Sequence, residues 1–224
     1  MRGSSGYRVF RIGAIALLLF IMLMPLAWMV LSSFKTNVQI YDTASVFRFT
    51  PTMENYQKVF QQANFGKFMW NSFFVAALST GISLVLGVPA AYSVSRFVVK
   101  RQAVVVLMAR VIPGVSLLVP WYYLFSNLRM VGGYGVLILS HMFVSLPLIL
   151  YIMMGFFDGM PTELEEAAQV DGLTPIGAMW HITLPMSTPW IATASILSFI
   201  FSWNNFMFAL VLSGADTKTL PVAI

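Results

Sequence analysis

The sequence EAAQVDG at 166–172 is followed, after nine residues, by ITLP at 182–185. This stretch is polar, and long apolar segments lie on both sides of it. The loop that contains it, 158–185, carries five carboxylates and neither lysine nor arginine. Its residues alone allow two interpretations, a solvated amphipathic loop or a surface on which a partner docks.

The local chemistry of this loop predicts two short helices joined by a sharp turn. Pro161 suits a first helical position, because its missing N–H would be unpaired there in any case. Gly172 favours the left-handed conformation that ends a helix. Thr174 can cap a second helix that runs to about Thr183, and Pro185 would lead into the next apolar segment.

The composition is that of a membrane protein. The chain is 58% hydrophobic and 9% charged, with a mean hydropathy of +0.81, whereas soluble domains carry about 25% charged residues. Cysteine is absent from the sequence, which excludes disulfides and thiolate chemistry. The two histidines, His141 and His181, have no ligand-like spacing. The net charge of +5 indicates membrane topology rather than nucleic-acid binding.

Five apolar segments are long enough to cross a bilayer, for which a helix needs about 20 residues. They are 12–34, 68–94, 103–125, 136–157 and 186–212. The first is longer than the apolar part of a typical signal peptide, and no small-residue cleavage site follows it. We therefore expect it to be a retained helix.

The basic residues predict which loops lie inside the cell. Three arginines precede the first segment, which places the N-terminus in the cytoplasm. Arg96, Lys100 and Arg101 fill the short loop between the second and third segments, which is then cytoplasmic as well. By the same count 35–67 lies outside and 158–185 lies inside. An acidic inner loop needs a reason, and docking to a basic partner is one.

The loop also resembles the signature of binding-protein-dependent ABC permeases. The family spacing is Glu-Ala-Ala, three residues, Gly, nine residues and Ile-x-Leu-Pro. It is met here by Glu166, Ala167, Ala168, Gly172, Ile182, Leu184 and Pro185. The likeness covers about 12–224. SFK at 33–35, PTMENY at 51–56, SWNNF at 202–206 and TLPV at 219–222 point to the carbohydrate-importing, maltose-type branch.

This resemblance implies an all-α integral membrane fold, the transmembrane domain of an ABC type I importer. One permease domain, 1–224, would form half of the translocation path for a sugar or oligosaccharide. Members of the family usually have six spans, and five are visible before Ile224.

The resemblance further implies a multi-pass protein of the bacterial inner membrane with several partners. They are a second homologous permease, two ABC ATPase subunits and an extracytoplasmic solute-binding protein. No catalytic role, cofactor or metal is expected on this chain. ATP and Mg would bind to the ATPase, because the sequence contains no Walker motif.

Two groups of residues are candidate sites. The resemblance assigns ATPase coupling to the loop, through Glu163, Glu166, Ala167, Ala168, Asp171, Gly172, Ile182, Leu184 and Pro185. In the fifth segment, Trp203, Asn204 and Asn205 are candidates for the substrate path, because amides are costly in lipid unless they face protein or water. Hydrogen bonding between helices is the alternative explanation for the two amides, and the favoured one.

Other polar and small residues in the apolar segments have structural explanations. Arg110 is expected to extend towards the membrane interface, and His141 is expected to be packed and hydrogen-bonded. Ser79, Ser83, Gly87 and Ala91 recur at four-residue intervals, which predicts a face on which another helix packs closely.

Other functions remain as alternatives. An ABC permease for a solute other than a sugar is the nearest. An integral-membrane enzyme would need clustered acidic or histidine residues at membrane depth, whereas the carboxylates cluster on one loop. A secondary transporter would carry an ionisable residue near mid-membrane, and apart from Arg110 and His141 the spans have none.

Overall fold

The computed structural model describes residues 5–42, 46–62, 64–97, 108 and 112–223. Within these residues the regular structure is helical, apart from one isolated bridge between Gly132 and Ser213. The expected all-α class is confirmed. The chain divides into two compact units, 1–65 and 66–224.

The first unit contains three helices, α1 (Ser5–Ser33), α2 (Asn37–Tyr41) and α3 (Glu54–Gln62). Lys35 follows the end of α1 and is buried, with its Nζ donating to Val46 O at 2.8 Å. The same Nζ lies 5.0 Å from the centroid of the Trp28 ring. Asn55 Nδ2 donates to the Lys35 carbonyl at 2.7 Å. These contacts tie α3 to the end of α1 without leaving the lysine charge unpartnered.

The second unit contains the remaining helices. They are α4 (Phe65–Phe97), α5 (Gly114–Asn127), α6 (Tyr134–Gly159), α7 (Glu163–Val170), α8 (Pro175–Ala178), a π-helical turn (Met179–Thr183), α9 (Leu184–Trp203), α10 (Met207–Leu212) and α11 (Leu220–Ala223).

The helices α4, α6 and α9 form the centre of this unit. Tyr92 packs edge-on against Phe157 towards the C-terminal ends of α4 and α6, so these two helices run in the same direction. The ring of Trp190, early in α9, packs against Phe156, late in α6, so α9 runs the opposite way.

The apolar interior of the second unit has two clusters. One of them contains Val88, Ala91, Tyr92, Ile149, Leu150, Met153, Phe157, Met179 and Ala194. The other contains Val75, Phe125, Val136, Leu137, Phe208, Ala209 and Leu212.

The small-residue face predicted on α4 is buried. Ser79, Ser83, Gly87 and Ala91 are all inaccessible to solvent. A Cβ added at Gly87 would lie 2.9 Å from Ile149 Cγ2, closer than real Cβ contacts. Only glycine therefore lets α4 and α6 approach as they do here.

Four helices among the described residues are long and apolar enough to cross a membrane. They are Gly6–Ser33, Phe65–Phe97, Tyr134–Gly159 and Pro175–Trp203. The first part of the predicted segment 103–125 lies outside the described residues, and its second part falls within α5.

The predicted segment 186–212 is not one helix. It breaks after Trp203, and α10 begins at Met207. The break has a local cause, because Asn205 Oδ1 accepts a hydrogen bond from Phe208 N at 3.2 Å. An amide side chain that pairs with backbone in this way starts a new helix rather than continuing the old one.

The chain after α10 is fastened to the beginning of α4. Asn71 is buried, and its Nδ2 donates to the Asp216 carbonyl at 2.9 Å and to the Lys218 carbonyl at 2.8 Å. Tyr134 OH donates to Asn71 Oδ1 at 2.7 Å. At the surface, a hydrogen bond from Lys67 holds the pKa of the Asp216 carboxyl below its ordinary value. Asn71 thus fixes this end of the unit.

Candidate functional site

The loop between α6 and α9 has the glycine turn that its sequence predicts. The helix α7 ends at Val170, and Gly172 follows with φ +96°. Gly172 N donates to Gln169 O and Leu173 N donates to Ala168 O, each at 3.0 Å, so the last carbonyls of α7 are satisfied. No atom lies within 4 Å of a Cβ added at Gly172. The turn therefore requires glycine for its backbone conformation and not for space.

The start of α7 differs from the prediction. Pro161 precedes the helix, Thr162 is the residue before its first turn, and α7 begins at Glu163. The carbonyl of Thr162 accepts hydrogen bonds from the N–H groups of Glu165 and Glu166. The predicted acidic first turn is present, and it begins two residues later than Pro161 would have placed it.

The second loop helix starts as predicted and ends differently. Thr174 Oγ1 accepts from Gly177 N at 3.1 Å, and Pro175 occupies the first turn of α8. The helix does not stop at Thr183, because the π-helical turn continues directly into α9. Leu184 N bonds to Met179 O, five residues back. Such a widened turn accommodates Pro185, which has no N–H to offer and needs room for its ring.

One carboxylate in the loop, that of Glu165, is buried, and it is not among the predicted coupling residues. Glu165 is 5% exposed. Its carboxylate accepts hydrogen bonds from Tyr92 OH at 2.9 Å, from Thr183 Oγ1 at 2.9 Å and from Arg96 Nε at 3.1 Å. The charge of Glu165 is thus paired and its lone pairs are used, which is the condition under which a charge is tolerated in an interior.

Arg96 extends this network to the end of α6. Its two terminal nitrogens donate to the Phe157 carbonyl at 2.9 Å and to the Met160 carbonyl at 3.2 Å. Carbonyls at a helix C-terminus have no partner within the helix, and a guanidinium is suited to take them. Arg96 therefore joins α4, the end of α6 and α7. The sequence around Glu165 does not distinguish it from the exposed glutamates of α7, since its burial depends on Arg96 and Tyr92 of another helix.

The predicted coupling residues divide into two groups. Ala168 is buried within the second unit, and Ile182 and Leu184 are half-buried. The others are exposed: Glu163, Glu166, Ala167, Asp171, Gly172 and Pro185. The loop thus has an inner face that holds it in place and an outer face that is exposed in the part of the chain that the structure describes.

The outer face carries large apolar side chains on a loop that is otherwise polar. Val170 is 87% exposed, Ile176 is 68% exposed and Trp180 is 60% exposed. They lie close to the Gly172 turn, at the end of α7 and on the following helical turns. Exposed apolar groups gathered beside polar ones are typical of a surface that another protein covers.

The candidate residues of the fifth segment make local contacts. Trp203 is half-buried and its ring stacks on Phe199, with centroids 5.8 Å apart. Asn204 is exposed, and its Nδ2 donates to the Ile200 carbonyl at 2.9 Å. Asn205 caps α10 through Phe208 N. Among the described residues, the hydrogen bonds of these two amides are local, to Ile200 and Phe208, and the bonding between helices stays a prediction.

The remaining expectations concern His141, Arg110 and metal binding. His141 is buried, and its Nδ1 lies 2.7 Å from Ser202 Oγ, as expected for a packed, hydrogen-bonded residue. Arg110 lies outside the described residues. Among the described residues no group of three or more histidine, aspartate or glutamate side chains is placed to hold a metal ion.

Comparison with known proteins places the chain in a family. Residues 83–223, more than half of the chain, match the model described as binding-protein-dependent transport system inner membrane component. The sulfoquinovosyl glycerol transport system permease protein SmoH of Agrobacterium fabrum is 34% identical over 207 residues, which are 90% of this chain and 73% of that protein. The trehalose/maltose transport system permease protein MalG of Thermococcus litoralis is 33% identical over 219 residues, covering 95% of this chain and 78% of that one.

A solved structure supports the same fold. It is that of a bacterial ABC transporter involved in the import of the acidic polysaccharide alginate, and it matches with a TM-score of 0.76 at 18% identity. The match covers 99% of this chain and 79% of that one. Family, relatives and fold agree. The chain is a multi-pass membrane protein that belongs to the family of inner membrane components of binding-protein-dependent transport systems, and it is a permease subunit of an ABC importer.

Proposed function

We propose that this permease carries a sugar or oligosaccharide across the bacterial inner membrane, with a second homologous permease forming the other half of the path. Relatives that cover most of the chain are named for the transport of sulfoquinovosyl glycerol, trehalose and maltose. The exposed amide of Asn204 beside the Trp203 ring offers an apolar face and polar atoms to a sugar. A permease for another solute is the alternative.

The loop 158–185 docks on a cytoplasmic ATPase in this proposal. The observation that carries it is the outer face of the loop, where Val170, Ile176 and Trp180 are exposed on a segment that also carries exposed carboxylates. Two ATPase subunits bind ATP and Mg, and the permease itself needs no cofactor. An extracytoplasmic solute-binding protein delivers the solute from the other side.

Movement of the ATPase reaches the membrane helices by two routes. The helix that begins at Pro175 runs without a break into α9. The other route is the Arg96–Glu165 pair, which links α7 to α4 and α6. A displacement of the loop is therefore passed to all three central helices, as alternating access between two states requires.

One matched pair of variants tests the docking surface. Burying an isoleucine side chain is worth about 1.5–3 kcal/mol, so Ile176→Ser should weaken ATPase binding roughly tenfold or more. Ile196→Ser is the control, because Ile196 is 60% exposed on the same continuous helix but in its membrane part. The measurement is the amount of ATPase that co-purifies with each variant, alongside its melting temperature. Equal ATPase binding by the two variants would remove the docking role.

The cytoplasmic location of the loop has its own test. The chain contains no cysteine, so a single introduced cysteine can be labelled selectively. A cysteine in place of the exposed Asp171 should react with a membrane-impermeant reagent in inverted vesicles and stay unlabelled in right-side-out vesicles. The reverse pattern would place the loop outside and exclude an ATPase as its partner.

A further inference from the structure

Three polar residues meet where α4, α6 and α9 cross the interior of the second unit. Ser202 Oγ lies 3.0 Å from Ser79 Oγ and 2.7 Å from His141 Nδ1. All three residues are buried. Because one residue comes from each helix, these contacts fix the relative heights of the three helices along their axes.

A second set of polar residues lies one helical turn closer to the loop. Ser83, Ser145 and Ser198 are each four residues from a member of the first set, so each lies on the same face of its helix. The second set lies four residues later on α4 and α6 and four residues earlier on α9. Because α4 and α6 are parallel and α9 is antiparallel, all three displacements lead towards the loop. We call Ser83, Ser145 and Ser198 the serine layer.

The hydroxyls of the serine layer have no partner in the protein. The three residues are at most 1% exposed, and none of their Oγ atoms is within hydrogen-bond reach of another described protein atom. A serine in a helix usually bonds to a carbonyl of its own helix, as Ser140 does to Val136 O at 2.6 Å. The helical register places these three serines at one level of three packed helices, and buried hydroxyls that all lack this bond indicate that another molecule takes their hydrogen bonds.

Apolar residues lie on both sides of the polar layers. One turn further towards the loop are Gly87, Ile149 and Ala194, which belong to the closely packed apolar region between these helices. On the opposite side, Val75 and Leu137 belong to the other apolar cluster. The serine layer is thus a small polar region inside an apolar interior.

We propose that the serine layer is a binding site for water, which bridges Ser83, Ser145 and Ser198 and joins α4, α6 and α9. A water molecule donates two and accepts two hydrogen bonds, and buried waters typically make about three to otherwise unsatisfied groups. A hydroxyl both donates and accepts, so three of them match a water in either direction. The serine layer contains no carboxylate, which is the ligand that Ca²⁺ and Mg²⁺ sites in proteins generally use. His141 Nε2 is also buried without a hydrogen-bond partner among the described residues.

The melting temperatures of single variants distinguish a serine layer that holds water from one that is dry. If water bridges the layer, Ser83→Ala, Ser145→Ala and Ser198→Ala each remove one of its partners, so each lowers the melting temperature of the importer in nanodiscs. If the layer is dry, each variant removes an unsatisfied hydroxyl, so the melting temperature stays equal or rises. Ser140→Ala is the matched control, because that buried hydroxyl is already bonded within its own helix and its loss should shift the melting temperature least.

Two further measurements complete the test. A shared water makes the substitutions interdependent, so the double variant Ser83→Ala/Ser145→Ala should lose less stability than the sum of the single variants. A map of the complete importer at a resolution that shows ordered water should contain density within hydrogen-bond distance of the three Oγ atoms. Additive or stabilising substitutions, together with an empty map at this position, would overturn the proposal.

Discussion

Arg96 and Glu165 form a buried ion pair that fastens the loop to the membrane helices, with Arg96 Nε 3.1 Å from Glu165 Oε1. The two residues are 69 positions apart in the chain, and both side chains are almost fully buried. The pair is surrounded by Tyr92, Thr183 and two carbonyls at the end of α6, so neither charge is left without partners.

Glu165→Ala should destabilise the permease by about 3 kcal/mol, because it leaves the Arg96 charge buried and unpaired. The measurement is the free energy of unfolding in detergent. Glu163→Ala is the control, since Glu163 is exposed on the same helix, and it should change stability by less than about 0.5 kcal/mol. The double variant Arg96→Leu/Glu165→Leu should lose less stability than the single variants Arg96→Leu and Glu165→Leu lose when their effects are added. Strict additivity would mean that the two side chains do not act as a pair.

Substitutions at Gly172 should uncouple ATP hydrolysis from transport in an order set by backbone conformation. The positive φ of Gly172 costs a residue with a Cβ about 1–2 kcal/mol. Asn tolerates this region better than Ala, and a β-branched Val tolerates it least. We therefore expect coupling to fall in the order Gly, Asn, Ala, Val. The ratio of solute transported to ATP hydrolysed in liposomes measures it, and the same ratio in all four would contradict a role for the turn.

Gly87→Ala should lower stability through crowding between α4 and α6. The added Cβ would lie 2.9 Å from Ile149 Cγ2, and overpacking of a core typically costs about 1–3 kcal/mol. Ile149→Ala removes the atom that it meets, so Gly87→Ala/Ile149→Ala should lose less than the two changes added together. Gly81→Ala is the control, since nothing lies within 4 Å of a Cβ at that position of the same helix. Equal melting temperatures for Gly81→Ala and Gly87→Ala would rule out this contact.

The adjacent amides should separate into one functional and one structural residue. Asn205→Ala removes the cap on Phe208 N and should cost about 1 kcal/mol of stability with little change in solute affinity. Asn204→Leu should change the apparent affinity or selectivity for solute, because this amide is exposed and, within the described part of the chain, bonds to its own helix. Uptake kinetics across a panel of sugars distinguish the two. Unchanged uptake with Asn204→Leu would leave the amide without a role in the path.

Local rules in the sequence predict the features that depend on a few neighbouring residues. The turn at Gly172 and the cap at Thr174 follow from backbone preferences, and both are present. The buried face of α4 follows from the spacing of Ser79, Gly87 and its other small residues. Residues that recur every four positions share one face of a helix, so this face can be predicted without knowing which helix packs on it.

Three features of the structure do not follow from these local rules. Glu165 looks like its exposed neighbours in sequence, and only the approach of Arg96 from another helix distinguishes it. The break after Trp203 is invisible to hydropathy, because the residues on both sides of it remain apolar. The continuation of the helix through Pro185 depends on a π-helical turn, for which the sequence offers no simple signal.

The unbroken helix from Pro175 to Trp203 is also a lever. It has 29 residues, which at about 1.5 Å per residue gives an arm of roughly 43 Å. A tilt of about 5° about its loop end displaces the far end by about 4 Å, more than the width of a water molecule. Gly172 lies just before the pivot, and Asn204 lies just beyond the tip. In the proposed mechanism, a small movement of the ATPase against the loop would therefore become a displacement of several ångströms at the other end of this helix, beside Asn204.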